Sequence, residues 1–269
     1  MNPFLLSVSI VVYRSDPVRL HSTLQTLARA VERLSVTPDA VRLVVIDNGS
    51  RTAPLGRVPI DDPDRRLFAS VELVEPENNL GYGAGHNRVL AGGCGEFHLV
   101  LNPDVDMARD ALVTGIAWLR ARPEVSGVVP EGRAPSGTPL YLAKGAPDVS
   151  VLLLRAFAPR RLRQLFAKRL AEYELHGLCA RAEPAPVALA SGCFMLLRGS
   201  AFTAVGGFDP GFFLYFEDFD LSRRIAAHGP LFYLPDMRVV HHGGNAAHKG
   251  WRHRLAFGRS ALRYFRLWQ

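Results

Sequence analysis

Asp104 and Asp106 flank a single valine directly after an apolar run, Phe97 to Leu101. Two carboxylates spaced this way at a strand end can turn toward one ligand. Such hard oxygen donors suit a divalent cation that completes its shell with phosphate oxygens. A solvated acidic turn, or Asp106 capping a following helix, is the bland alternative. Glu217-Asp218 begins a stretch with Leu221 and Ile225 on one helical face, among Phe212, Phe213, Tyr215, Phe216 and Phe219. A carboxylate among rings is partly desolvated and thereby poised as a general base, although helix capping by Asp218 asks less of it. His241 and His242 lie between a β-branched run and Gly243-Gly244, where an imidazole can complete a metal shell. A lone histidine is more often structural; a pair in this setting is harder to dismiss.

Two further segments suit a phosphate ligand. Asn78-Asn79-Leu80-Gly81-Tyr82-Gly83-Ala84-Gly85-His86-Asn87 joins a strand to a helix expected from about His86. Glycines let backbone N–H groups approach a phosphate, and a helix start adds a favourable dipole. The spacing is not GxGxxG, so a tight connection accounts for it equally well. Asp47, before Asn48-Gly49-Ser50, can accept from a base N–H or a ribose hydroxyl, or simply form an Asx turn.

The elements that position these groups follow from hydrophobic pattern. Short β-branched runs predict strands at 6–13, 41–46, 71–74 and 97–101. Ser15-Asp16-Pro17 is a helix start, and Leu20, Leu24, Leu27, Val31 and Leu34 continue as one apolar stripe. Residues 52–64 are rich in turn formers. Strands alternating with helices argue for a parallel sheet covered on both faces, whose ligands bind beyond the carboxyl ends of the strands. Asp47, the Asn79 loop and Asp104/Asp106 each follow a strand end, so they gather on one rim. Farther on, the pattern predicts a helix at 108–120, a strand at 125–129, a helical stretch at 155–182, and a strand at 187–197 with Ser191-Gly192 inside it.

Composition closes off several classes. The 269 residues are 48% hydrophobic and 21% charged, a globular balance rather than a disordered or fibrous one. No run approaches the ~20 apolar residues of a membrane span. The start carries no basic segment of an export signal, and three isolated cysteines, Cys94, Cys179 and Cys193, form no CxxC pair, so a reducing cytoplasm is expected. The net charge of +7 rests on arginine, since Lys144, Lys168 and Lys249 are the only lysines. No nucleic-acid recognition motif accompanies that charge.

The order of these segments resembles the family 2 glycosyltransferases, over residues 8–244. The nearest branch resembles bacterial rhamnosyltransferases of O-antigen and mycobacterial cell-wall assembly. The motifs that carry the resemblance are Asn79 to Asn87, Asn102-Pro103-Asp104-Val105, Gly206 to Arg223, and Val239 to Gly244. It implies a GT-A fold: an α/β, Rossmann-like, mostly parallel sheet with helices on both faces and a fused acceptor-binding half. Residues 1–106 would form the nucleotide-sugar half and residues 107–269 the acceptor and catalytic half.

The resemblance also implies roles. Asp47 would contact base or ribose, with Asn79, Gly81, Asn87, Asn102 and Asp104 around the nucleotide and sugar. Asp106, with Asp104, would hold Mg²⁺ or Mn²⁺ against the diphosphate. His241 would add a ligand, His242 being the alternative because the register of the pair is ambiguous. Asp218 would deprotonate the acceptor hydroxyl, with Glu217 beside it. Relatives often carry a tryptophan ahead of Ser191-Gly192, and it is absent here; Pro210 replaces a frequent glutamate. The implied reaction is metal-dependent, inverting transfer of a sugar to a glycan or polyprenyl-diphosphate-linked acceptor. dTDP-rhamnose is favoured as donor, with UDP-sugars behind it.

Two other classes stand against this one. A silent sugar-nucleotide-binding protein would not need Asp104, Asp106, Asp218 and His241 together. An NAD-dependent oxidoreductase would carry GxGxxG after the first strand, where Tyr13-Arg14-Ser15-Asp16 stands instead. The tail interleaves Trp251, Leu255, Leu262, Phe265 and Trp268 with Arg252, Arg254, Arg259, Arg263 and Arg266. Such a helix can lie on the inner face of an anionic membrane, or dock on the core with an arginine-rich outer face. Arg160, Arg161, Arg163, Lys168 and Arg169 can likewise meet an acceptor diphosphate or form a solvated face.

Overall fold

A computed structural model describes residues 4–49, 54–148, 150–152, 154, 158–181, 183–243 and 251–268. Ser50, Gly244 and parts of the 52–64 and 155–182 stretches lie outside the described residues. So do the side chains of Arg160, Arg163, Arg252 and Arg254.

The first strands, β1 (Leu6–Val12) and β2 (Val41–Asp47), are buried at every position, as strands covered on both faces must be. Between them runs α1 (Pro17–Arg33), whose first turn is closed by Asp16 accepting from the Val18 N–H at 2.9 Å. The chain continues through α2 (Asp62–Arg65), β3 (Ser70–Val74), α3 (Tyr82–His86), β4 (Phe97–Leu101), β5 (Val105–Met107), α4 (Ala111–Arg120) and β6 (Gly127–Arg133). Then follow β7 (Pro139–Leu140), β8 (Ala143–Lys144), α5 (Arg160–Leu165), α6 (Ala167–Tyr173), α7 (His176–Arg181), β9 (Ala185–Val187), β10 (Leu189–Ala190) and β11 (Phe194–Arg198). Last come α8 (Gly199–Ala204), α9 (Glu217–Ala226), β12 (Leu231–His241) and α10 (Trp251–Trp268).

Among the described residues one sheet runs through both halves of the chain in the order β3-β2-β1-β4-β11-β6-β12-β5. Strands β1 to β4, β6 and β12 share one direction, while β5, β7, β9 and β11 oppose them. One face packs on Leu20, Leu24 and Leu27 of α1 and Ile116 and Leu119 of α4. The other packs on Phe202, Phe208, Leu221 and Ile225. A smaller cluster joins Phe212, Phe216 and Tyr264 beneath α10.

Three expectations change. The helix expected from about His86 begins at Tyr82, because Gly81 at φ 86° makes the turn that a side chain would disfavour. The strand expected at 187–197 breaks at Ser191-Gly192, where the chain leaves β10 and re-enters as β11. The 155–182 stretch divides into three short helices, with Phe166 and Glu174 between them outside helical conformation.

Candidate active site

The strand directions fix where polar groups meet. Strands β2, β4 and β12 deliver Asp47, Asn102 and His241 at their carboxyl ends, and the opposing β5 and β11 start from the same rim. Antiparallel pairing sets Val105 opposite His241, so Asp104, one residue earlier, comes beside the histidines. The His242 N–H donates to the Asp104 carbonyl at 2.9 Å.

The structure gives each aspartate its own histidine. Asp104 Oδ1 lies 3.2 Å from His241 Nε2, and Asp106 Oδ2 lies 2.8 Å from His242 Nε2. Asp106 Oδ2 also accepts from the Ser22 hydroxyl of α1 at 3.0 Å. The Tyr82 hydroxyl and the Cys193 thiol each feel the charges of both Asp104 and Asp218. Burial pushes the Cys193 thiol up to about 12, and those two carboxylates add to it. Asp104 is lowered: burial raises it, but the hydrogen bond and charge of His241 outweigh that. Of the four expected metal ligands, Asp104 thus stands with His241, and Asp106 with His242 and α1.

The fit to a divalent cation can be tested on these atoms. Asp104 Oδ1 is buried, and the partner near it among the described residues is His241 Nε2 at 3.2 Å. A Cβ on Gly243 would collide with Asp104 Oδ2 and sit 3.0 Å from His241 Nε2, so the glycine keeps the space before both groups open. No group of three or more His, Cys, Asp or Glu side chains forms a complete metal shell among the described residues. An oxygen and an imidazole nitrogen with room between them suit Mg²⁺ or Mn²⁺ bound mainly through substrate phosphate.

Across the rim, α9 opens with Glu217 and Asp218. The turn before it holds Tyr215 and Phe216 at φ 72° and 66°, a conformation bulky side chains avoid. Packing sustains it: the Phe216 ring contacts Phe219, Phe257 and Tyr264 at centroid distances of 5.6, 5.1 and 5.4 Å. Asp218 Oδ2 accepts from the Gly192 N–H and Oδ1 from the Phe219 N–H, both at 3.0 Å. Burial nevertheless pushes the Asp218 carboxyl up, against those bonds and the Lys144 cation. Glu217 is 5% exposed with Oε2 unpartnered, and burial followed by the charge of Asp218 holds it well above the usual carboxylate range.

At the end of β2 and in the glycine loop, Asn79 Oδ1 accepts from the Gly81 N–H at 2.8 Å, and Asp47 Oδ2 from the Leu55 N–H at 2.8 Å. Asn87 pairs reciprocally with Phe208, donating to its carbonyl and accepting from its N–H at 2.8 Å each. Asn87 thereby braces the Gly206-Gly207-Phe208 turn.

Sequence reasoning passes over three residues that hold the site together. Buried Asn48 donates to the Gly81 carbonyl at 2.7 Å and accepts from the Leu80 N–H at 2.8 Å, locking the glycine loop to the end of β2. The Tyr82 hydroxyl lies 2.6 Å from the Gly192 carbonyl and 2.9 Å from Asn102 Oδ1. One hydroxyl proton cannot serve both, so it goes to Gly192 and the Asn102 amide is better turned with its NH₂ toward the oxygen. Lys144 is buried beside Tyr141 and Tyr173. Their tertiary partners lie up to 110 residues away, so local pattern carries no signal for them.

No family model matches the chain. It is 30% identical over 257 residues to the N-acetylglucosaminyl-diphospho-decaprenol L-rhamnosyltransferase of Mycobacterium tuberculosis, covering 88% of this chain and 76% of that protein. It is 28% identical over 174 residues to Rhamnosyltransferase WbbL of Escherichia coli, covering 60% of this chain and 61% of that one. Among solved structures it resembles GalNAc-T7 with UDP, GalNAc and Mn²⁺, at TM-score 0.66 and 17% identity. That match covers 99% of this chain and 48% of the larger one, so the two share a fold.

Proposed function

The chain belongs to the family 2 glycosyltransferases of GT-A fold, in the branch of the bacterial rhamnosyltransferases, and from this we propose the reaction it performs. It transfers L-rhamnose from a nucleoside diphosphate, dTDP-rhamnose ahead of a UDP-sugar, to a hydroxyl of a lipid-linked glycan. The observation that supports this reading is the gathering of Asp47, Asn102 and the Asp104–His241 pair at one rim of the sheet, with Asp218 bonded to Gly192 just before β11, which starts from that rim.

Two difficulties govern such a transfer: negative charge on the leaving diphosphate, and a weakly nucleophilic alcohol. Asp104 and His241 would hold Mg²⁺ or Mn²⁺, which would supply charge neutralisation at the diphosphate. Asp106, bonded to His242 and Ser22, anchors β5 to α1 and so orients Asp104. Asp47, Asn79 and Gly81 shape the nucleotide side, with Asn48 holding the loop in place. Asp218 takes the acceptor proton; its oxygens are aimed by the Gly192 and Phe219 N–H groups, and its raised affinity for a proton suits a base. Glu217 lies deeper, where burial and then the charge of Asp218 favour its protonated form.

The acceptor half lies beyond residue 106, and the protein works at the cytoplasmic face of the membrane, where the outer side of α10 meets the headgroups. No helix among the described residues is long and apolar enough to cross a bilayer. The test is a thermal-shift panel of nucleotide sugars with and without Mn²⁺, since a ligand of the folded state raises its melting point with occupancy. A metal-dependent response to dTDP-rhamnose is expected. A response to NAD(H) alone, or to no nucleotide sugar, overturns the proposal.

A further inference from the structure

The break between β10 and β11 takes Ser191, Gly192 and Cys193 out of the strand ladder, so their backbone groups need partners elsewhere. The Ser191 N–H donates to the Leu142 carbonyl at 2.8 Å, and the Cys193 carbonyl accepts from the Asn102 N–H at 2.9 Å. The Gly192 carbonyl takes the Tyr82 hydroxyl, at 2.6 Å, and the Gly192 N–H donates to Asp218 Oδ2 at 3.0 Å. One residue therefore stands between a phenol and a carboxylate, accepting from the first and donating to the second. The fit is close: a Cβ on Gly192 would lie 3.2 Å from the Tyr82 ring and 3.3 Å from the Asp218 Cβ.

The two bonds of Asp218 differ in kind. Oδ1 accepts from Phe219, its neighbour in sequence, which travels with it. The Gly192 N–H comes from outside α9 and so fixes the carboxylate against the rim. Tyr82, in turn, is held from several sides. Its N–H donates to the Phe213 carbonyl at 3.0 Å, in the turn that leads into α9. Its ring meets His86 and Phe208 edge-on at centroid distances of 4.6 and 6.0 Å, and His86 Nδ1 lies 2.7 Å from the hydroxyl of buried Ser9 on β1. Asn102 approaches the phenol oxygen at 2.9 Å, so the one hydroxyl proton is spent on Gly192.

We propose that Tyr82 is the positioning residue of the base: its hydroxyl holds Gly192, and Gly192 holds the Asp218 carboxylate. The inference rests on the transferase reading above for the role of Asp218, and on these contacts for its placement. A donor to the ionised form lowers a carboxyl, so loosening the Gly192 bond should raise Asp218 further.

Carbon-13 NMR of protein labelled at the aspartate carboxyl carbons tests it, the Asp218 signal being assigned by its loss in Asp218→Asn. The titratable groups that face Asp218 are Glu217, Lys144, Cys193, Tyr82 and Tyr264. Glu217 is a carboxyl too, so every protein compared carries Glu217→Gln. Tyr82→Phe, which keeps the ring against His86 and Phe208, should raise the Asp218 titration by about one pH unit, the loss of part of a charge-assisted hydrogen bond. With Tyr82 in place the Gly192 amide proton should move with that titration, and in Tyr82→Phe its excursion should shrink. An Asp218 titration unchanged in Tyr82→Phe overturns the proposal. So does a raised titration with the Gly192 excursion undiminished, since the hydroxyl would then act through space. Should Tyr82→Phe not fold, Gly192→Ala wedges the same contact and must raise the titration instead; an unmoved titration there overturns the proposal as well. None of these readouts needs a nucleotide sugar, so failure of the dTDP-rhamnose panel counts against the transferase reading and not against the placement of Asp218.

Discussion

Glu217 and Asp218 carry the same chemical group one residue apart, yet their surroundings give them different work. Asp218 has two backbone donors and reaches the rim, whereas Glu217 is buried with an oxygen unpartnered. Replacing Asp218 by Asn should lower kcat by about 10²–10⁴-fold while nucleotide-sugar affinity holds in titration. Because the folded protein raises the Asp218 carboxyl, wild-type kcat should climb with pH through a value above that of an ordinary aspartate. Glu217 makes the companion prediction for stability. A carboxyl raised on folding binds its proton more tightly in the native state, so its ionisation destabilises the fold as pH rises from the unfolded value through the folded one. Melting curves should therefore favour Glu217→Gln over wild type at pH 8, with the gap closing below about pH 4. The aspartates by the histidines separate in the same way. Losing even an outer-shell partner costs roughly 10–100-fold in metal affinity, so Asp104→Asn should lose at least that in Mn²⁺-dependent nucleotide binding, and Asp106→Asn no more. Equal losses in both would mean that Asp106 also reaches the cation.

The elements that present these residues differ in how plainly their sequences announce them. Strands β1 to β4 are legible because each is a short β-branched run buried on both faces, and Asp16-Pro17 marks the start of α1. The convergence of Asp47, Asn102 and Asp104 follows from strand ends alone. The pairing of Asp104 with His241 does not, for it depends on how β5 registers with β12, more than 130 residues later. The break at Ser191-Gly192 is hidden too, because β10 pairs with β8 and β11 with β4, and apolar pattern is blind to a change of partner. The glycine loop shows the same dependence on distant contacts. The Tyr82 N–H donates to the Phe213 carbonyl at 3.0 Å, so the glycine loop is fastened to the turn that leads into α9. Gly81 sits at φ 86° against that carbonyl, and any Cβ would clash with it. Gly81→Ala should destabilise the fold by about 1–3 kcal/mol in denaturant melts. It should also weaken nucleotide-sugar binding and kcat together, because one displaced turn serves both sides of the rim. A change in stability with binding and kcat untouched would mean that the two loops are not coupled.

At the scale of the molecule, α10 links the turn before α9 to the outside. Its inner side meets that turn through His253 on the Tyr215 hydroxyl at 3.1 Å and the Ser260 hydroxyl donating to the Leu214 carbonyl at 2.8 Å. Tyr264 packs on Phe216 and Phe219, which explains how two non-glycine residues are held at positive φ just before Asp218. The outer side is different in kind: Trp251, Leu255 and Leu262 are 67, 57 and 63% exposed, at a spacing that aligns them with Arg259 and Arg266. No acidic residue occurs anywhere along the helix, and the whole chain carries +7. Apolar side chains ringed by arginine suit the boundary between anionic headgroups and acyl chains, where each basic residue adds about 1 kcal/mol at low salt. Flotation with phosphatidylglycerol vesicles should therefore recover the protein, with recovery falling as salt rises and absent on neutral phosphatidylcholine. Leu255→Glu with Leu262→Glu should abolish flotation while nucleotide-sugar binding stays intact, since neither side chain touches the rim. Should that double variant still float, the apolar outer side of α10 is not what meets the membrane, and α10 serves to hold the turn before Asp218.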